Sequence, residues 1–108
     1  MPFTADYADV EPTRPEIDAI AGPVLLEFGA PWCPHCQVIQ LELQRLLNQF
    51  PSVMHIKIYD GPGQPLGRSF HVKLWPNLVY LRDGKVLLQL ARPNVDKIAT
   101  LQQALSSS

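Results

Sequence analysis

Apolar residues along this chain fall into runs whose spacing changes from one run to the next. Val24-Leu25-Leu26-Glu27-Phe28 is almost continuously apolar over the length of a strand. That pattern predicts a central strand covered on both faces. From Cys36 to Phe50, the positions Val38, Ile39, Leu41, Leu43, Leu46, Leu47 and Phe50 recur mostly three and four apart. They predict one helix, ended by Pro51. Val53 to Tyr59 is rich in β-branched and aromatic residues and predicts a second strand. A loop over Asp60 to Pro65 and a short helix over Leu66 to His71 follow. Asn77 to Leu81 and Lys85 to Leu90 flank Arg82-Asp83-Gly84, a hairpin signal. Asn94 is placed to cap a last helix whose Val95, Ile98, Leu101, Gln102 and Leu105 trace one face.

Upstream, Glu16 to Ala21 predicts a short helix stopped by Gly22-Pro23. Residues 1–15 are polar, carry three prolines and read as an irregular arm with a short strand near Tyr7 to Val10. The tail Ser106-Ser107-Ser108 is expected to fray. Strand–helix–strand at the start implies a parallel pair with a right-handed crossover, and the hairpin adds antiparallel strands.

Composition and charge narrow the possibilities. With 108 residues, 46% of them apolar, the chain is expected to form a single domain over 1–108. A net charge of −1 gives no footprint for nucleic acid or an anionic membrane. No run approaches the roughly 20 apolar residues of a spanning helix. The N-terminus has no basic start or apolar leader. With Met1 as the natural start, the expected location is the cytoplasm, where two cysteines are a poor permanent staple.

The chain's two cysteines, Cys33 and Cys36, form a C-x-x-C between the apolar strand and the helix, the arrangement expected of a thiol–disulfide centre. At the loop-to-helix junction, unpaired backbone N–H groups and the helix dipole favour a thiolate on Cys33. An ordinary thiol of pKa ~8.5 is about 3% thiolate at pH 7, and a pKa of ~7 makes that about 50%. Cys36, one turn further in, is placed to resolve a mixed disulfide on Cys33, giving an attacking thiol outside and a resolving thiol inside. A metal site needs three or four ligands. His35, His55 and His71 are the other soft donors, and none has a paired spacing, so no metal is expected. An inert pair of buried thiols is the other alternative.

Phe28-Gly29-Ala30-Pro31-Trp32-Cys33-Pro34-His35-Cys36 resembles the active-site segment of thioredoxins, F-x-A-x-W-C-x-x-C. The resemblance extends to Trp75-Pro76, where that family carries a cis-proline, and to the hairpin segment Leu78 to Lys85. It covers roughly residues 16–105. It implies a thioredoxin fold of the α/β class, with a central mixed sheet of four to five strands flanked by helices. It also implies a protein-disulfide oxidoreductase with no cofactor beyond its own Cys33–Cys36 pair. Cys33 would be the nucleophile and Cys36 the resolving thiol. Glu27 stands where the family has a buried aspartate that assists proton transfer, and Lys57 would be its charge partner. The alternative for Glu27 is a strand-end carboxylate reaching solvent. Trp32, Trp75, Pro76 and Arg92 would line the substrate face, with the Trp75 backbone bonding an extended substrate segment. For Trp32 the alternative is plain packing.

The departures matter as well. Pro34-His35 replaces the glycine-proline of the common reductases and resembles periplasmic disulfide-forming oxidants, although the large helical insertion of those oxidants is lacking. A hydrogen bond or positive charge from His35 would stabilise the Cys33 thiolate and make the disulfide more oxidising. The alternative for His35 is an exposed loop residue of no consequence. Gln37 replaces a common lysine, Gln40 a mid-helix proline, and Arg92-Pro93 a glycine-bearing loop. The expected partners are disulfide-bearing proteins, with a reductase or glutathione as electron donor to a monomer involved in cell redox homeostasis. The alternative function is a thioredoxin-fold binding module with little turnover.

Overall fold

The computed structural model describes residues 3–106. Ser107 and Ser108 of the expected frayed tail lie outside them. β1 (Pro23–Gly29) is paired on both sides, in parallel with β2 (Met54–Tyr59) and antiparallel with β3 (Asn77–Arg82). β3 pairs antiparallel with β4 (Lys85–Ala91), giving the order β2-β1-β3-β4. β1 is apolar at every position but Glu27 because helices cover both faces of the sheet. Leu25, Leu78 and Tyr80 pack against Leu43 and Leu47 of α3 (Gln40–Asn48) and Ile98 and Leu101 of α5 (Val95–Ser106). Leu26, Phe28 and Val79 meet Ile17 of α1 (Arg14–Asp18) and Leu66 of α4 (Pro65–Ser69) on the other face. The β3–β4 turn has Asp83 at φ 52° and Gly84 at φ 81°. Asp-Gly is the pair that tolerates two positive φ values in succession.

Three expectations change. The first helix begins at Arg14 rather than Glu16, because Thr13 and Glu16 form a capping box: the Thr13 hydroxyl accepts the Glu16 N–H and the Glu16 carboxylate accepts the Thr13 N–H. The helix expected over 36–50 is two, α2 (Pro34–Val38) and α3, broken at Ile39 with ψ −3°. The Gln40 side-chain amide donates to the Cys36 carbonyl at 2.8 Å beside this break. A side chain inserted into the carbonyl ladder is one known cause of such a kink. Third, the strand expected near residues 7–10 is instead a single backbone bond, Ala8 N–H to Lys57 O at 2.9 Å. The arm lies along the open edge of β2, held also by Thr4 against His55 and by Lys57 Nζ donating to the Ala5 carbonyl.

Candidate active site

β1 ends at Gly29, and the chain turns through Pro31 and Trp32 into α2. Cys33 is the N-cap of α2, in an extended conformation, and Pro34 occupies its first turn, where a missing N–H costs nothing. The Cys33 sulfur accepts the Cys36 N–H at 3.2 Å, taking up a donor that a helix start leaves free. Both cysteines are free thiols. The expected contrast between an outer and an inner thiol is small, since Cys33 is 6% exposed and Cys36 2%. Tyr59 and Trp75 pack against the pair and leave Cys33 a narrow window. Behind them Gly29 is a contact residue that its place in the motif did not reveal. A Cβ there would lie 2.6 Å from the Cys36 sulfur and 3.3 Å from the Tyr7 hydroxyl.

Beneath Cys36, Glu27 is completely buried, so the solvent-reaching alternative is overturned. It projects from the same face of β1 as Leu25, towards α2 and α3, because strand residues two apart share a face. Its Oε1 lies 2.8 Å from His55 Nε2, and its Oε2 accepts the Gln40 amide at 2.6 Å. Lys57 is its cross-strand neighbour in register. Even so, the expected direct ion pair is not formed. Lys57 Nζ donates to Gln40 Oε1 at 3.0 Å and to the Ala5 carbonyl at 3.1 Å, so Gln40 bridges ammonium and carboxylate. His55 and Gln40 are thus site residues that sequence reasoning had considered only as a loose metal donor and as a replacement for proline. The Cys36 thiol is pushed up to about 12, chiefly by burial, then by its hydrogen bond with Cys33, with the Glu27 charge adding to both. The Tyr7 phenol is also raised, by burial first and then by the neighbouring charges of Cys36, Glu27 and Cys33.

The rim holds the remaining residues singled out from the sequence. Trp32 is 64% exposed, its ring edge-on to Tyr59 at 5.4 Å, so simple packing does not describe it. The Trp75–Pro76 peptide is cis, and the Trp75 indole donates to Asp60 at 2.9 Å. Arg92 Nε donates to the Trp75 carbonyl at 2.9 Å, and its backbone N–H donates to the Pro76 carbonyl at 2.7 Å. The Trp75 carbonyl, expected to face substrate, is therefore already engaged. His35 is exposed and makes no hydrogen bond to Cys33. It lines an open groove of about 470 Å³ with Val38, Arg92 and Asn94. Among the described residues, no three His, Cys, Asp or Glu side chains stand together as a metal site requires.

This arrangement has close parallels. Residues 11–106 match the family described as Thioredoxin. Thioredoxin 2 from Pseudomonas aeruginosa PAO1, in its reduced form, is 42% identical with a TM-score of 0.83, the match covering 97% of this chain and 98% of that one. Protein disulfide-isomerase A2 of Pongo abelii is 42% identical over 65 residues, which is 56% of this chain and 12% of that protein. Thioredoxin H5 of Arabidopsis thaliana is 25% identical over 75 residues, 69% of this chain and 64% of its own. The chain thus spans less than two thirds of the length of both of these curated relatives. Sheet order, dithiol and matched segment together define its class: the chain belongs to the thioredoxin family.

Proposed function

We propose that this chain is a thiol–disulfide oxidoreductase that exchanges two electrons between the Cys33–Cys36 dithiol and disulfides of proteins or small thiols. The observation that carries the reading is the free Cys33 sulfur at the start of α2, with Cys36 one turn behind it, above the buried Glu27. In the reducing direction, the Cys33 thiolate attacks one sulfur of a substrate disulfide. That S–S bond breaks, and the departing thiolate takes up a proton. Cys36 then gives its proton to Glu27 and attacks the Cys33 sulfur of the mixed disulfide. The Cys33–Cys36 bond forms, and the second substrate thiolate leaves with the proton. The dithiol is oxidised by two electrons and the substrate disulfide is reduced to two thiols.

The need for a base follows from burial. Burial of Cys36, which persists when Cys33 is held in the mixed disulfide, keeps its thiol protonated above the ordinary thiol range, so its attack needs an acceptor for that proton. Glu27 is the carboxylate whose charge is felt at Cys36, and we assign it that role as acid–base group. Trp32, Trp75, Pro76 and Arg92 form the substrate face. A reductase or glutathione restores the dithiol, and the chain works as a single-domain monomer in the cytoplasm, in electron transport to disulfides. The pair itself is the redox group.

The test is turnover of a protein disulfide with a dithiol electron source, with Cys33→Ser and Cys36→Ser beside the parent. Cys33→Ser is expected to abolish turnover, and Cys36→Ser to accumulate a mixed disulfide visible by mass. Turnover that survives Cys33→Ser refutes the assignment. Partner capture by a parent that does not turn over favours the binding-module alternative.

A further inference from the structure

His55 has no role in the dithiol exchange as described, yet it is buried and bonded at both ring nitrogens. On one side the Thr4 backbone N–H reaches Nδ1 at 2.8 Å. A backbone N–H can only donate, so Nδ1 must offer its lone pair and carries no proton. The ring proton is then on Nε2, pointing at Glu27 Oε1. The Gln40 amide is oriented by the same reasoning. Its oxygen faces the Lys57 ammonium, and its nitrogen faces the Cys36 carbonyl and Glu27 Oε2. Each Glu27 oxygen therefore accepts a hydrogen bond, and neither donor can take the carboxylate's place as an acceptor.

We infer that the docked N-terminal arm, through Thr4 N–H, locks His55 as the Nε2–H tautomer, making His55 a positioning residue that hydrogen-bonds and orients the Glu27 carboxylate for the Cys36 proton. The inference rests on the redox reading above and deepens it by bringing the arm into the proton path. The groups around Glu27 are accounted for element by element. α2 presents Cys36, whose N–H donates to the Cys33 sulfur, and β2 presents His55 directly and Lys57 through Gln40 of α3. The arm presents Tyr7, whose phenol burial raises first and the Cys36 and Glu27 charges raise further, while β3 places Leu78 opposite Glu27. A cavity of about 450 Å³ lined by Asp6, Tyr7, Cys36, Gln40 and Lys57 lies between arm and helix. It brings solvent-accessible space up to Cys36 and Gln40, both neighbours of Glu27 in the network.

The test has a spectroscopic and a kinetic arm. Ring ¹⁵N shifts of His55 in the full chain at neutral pH should show a bare Nδ1 and a protonated Nε2. Thr4→Pro removes the backbone donor; at the same mildly acidic pH it should show a larger share of protonated Nδ1 than the parent. Thr4→Val removes only the bond from the Thr4 hydroxyl to the His55 carbonyl and should keep the parent spectrum. In single-turnover resolution of a mixed disulfide, His55→Leu should move the acid limb to higher pH by about one unit or more, slowing that limb about tenfold. This follows from removing a hydrogen bond to a charged group, which favours the protonated carboxyl. His55→Gln, which keeps an N–H donor, should restore much of the parent profile.

A parent spectrum with a protonated Nδ1 overturns the inference, as does a Thr4→Pro spectrum identical to it. So does an unshifted His55→Leu profile when mixed disulfide forms normally, and then the redox reading stands. A parent that never forms the mixed disulfide overturns both.

Discussion

Gly29→Ala adds one methyl group against the resolving cysteine, and its cost can be worked from the contacts. The new Cβ would lie 2.6 Å from Cys36 Sγ and 3.3 Å from Tyr7 Oη. Unstrained heavy-atom contacts of this kind sit at about 3.5–4.0 Å, so the sulfur must retreat by about 1 Å. It has little room to do so. Cys36 is 2% exposed, its N–H is bonded to Cys33 and its carbonyl to Gln40. Overpacking of this kind costs about 1–3 kcal/mol, or on the order of 4–8 °C in Tm per kcal/mol for a domain of this size. Urea denaturation of reduced Gly29→Ala against the parent measures it. The decisive comparison is a double-mutant cycle with Cys36→Ala, which removes the sulfur. The cost of the added methyl should fall by more than half in that background, a coupling energy of about 1 kcal/mol. Equal costs in both backgrounds, or a cost below about 0.5 kcal/mol with Cys36 present, would refute the view that glycine is needed there for the sulfur's approach.

Two further outcomes follow from the site. The Cys36 thiol holds its proton to about 12 in the folded state against 9.0 ordinarily, so the native state binds more protons between those values. Stability of the reduced protein should therefore be level below pH 9 from this source and fall as pH rises from 9 towards 12. The disulfide form has no such thiol and should lack that share of the slope, while burial of the Tyr7 phenol acts in both forms; urea midpoints of the two forms from pH 8 to 11 check this. Arg92→Ala releases the Trp75 carbonyl that Arg92 Nε now occupies. With an acceptor returned to an extended substrate, KM for a peptide disulfide should fall about two- to tenfold with kcat little changed; an unchanged or higher KM would refute the view that Arg92 masks this acceptor within the substrate face.

Much of this could be read from local patterns. The run Val24 to Phe28 announced a central strand because burial on both faces removes the need to alternate. The Asp83-Gly84 turn and the cysteine spacing needed nothing beyond neighbouring residues. The first helix starts two residues ahead of the expected Glu16, because its start signal is the Thr13-x-x-Glu16 capping box, which lies before the helical run itself. The break at Ile39 could not be read, because the apolar spacing runs through it and its local signature is a side chain, Gln40, reaching the Cys36 carbonyl. The bridging of Glu27 and Lys57 by Gln40, and the pairing of Glu27 with His55, depend on register between β1 and β2 and on the path of the arm. Periodicity in one segment carries no information about either.

β1 bears Glu27 and Gly29 and is hydrogen-bonded on both sides, whereas β4 and the arm each have an open side. Amide exchange at Leu25, Leu26 and Glu27 should therefore require opening of the whole sheet, while the arm, Trp32 and the β4 edge exchange through small local excursions. Glu27 is thus expected in the slowest-exchanging part of the molecule, while Thr4 in the arm and the exposed Trp32 belong to faster parts. On the proposed redox reading, the rim would adjust to differently shaped disulfides on a timescale at which Glu27 stays in place.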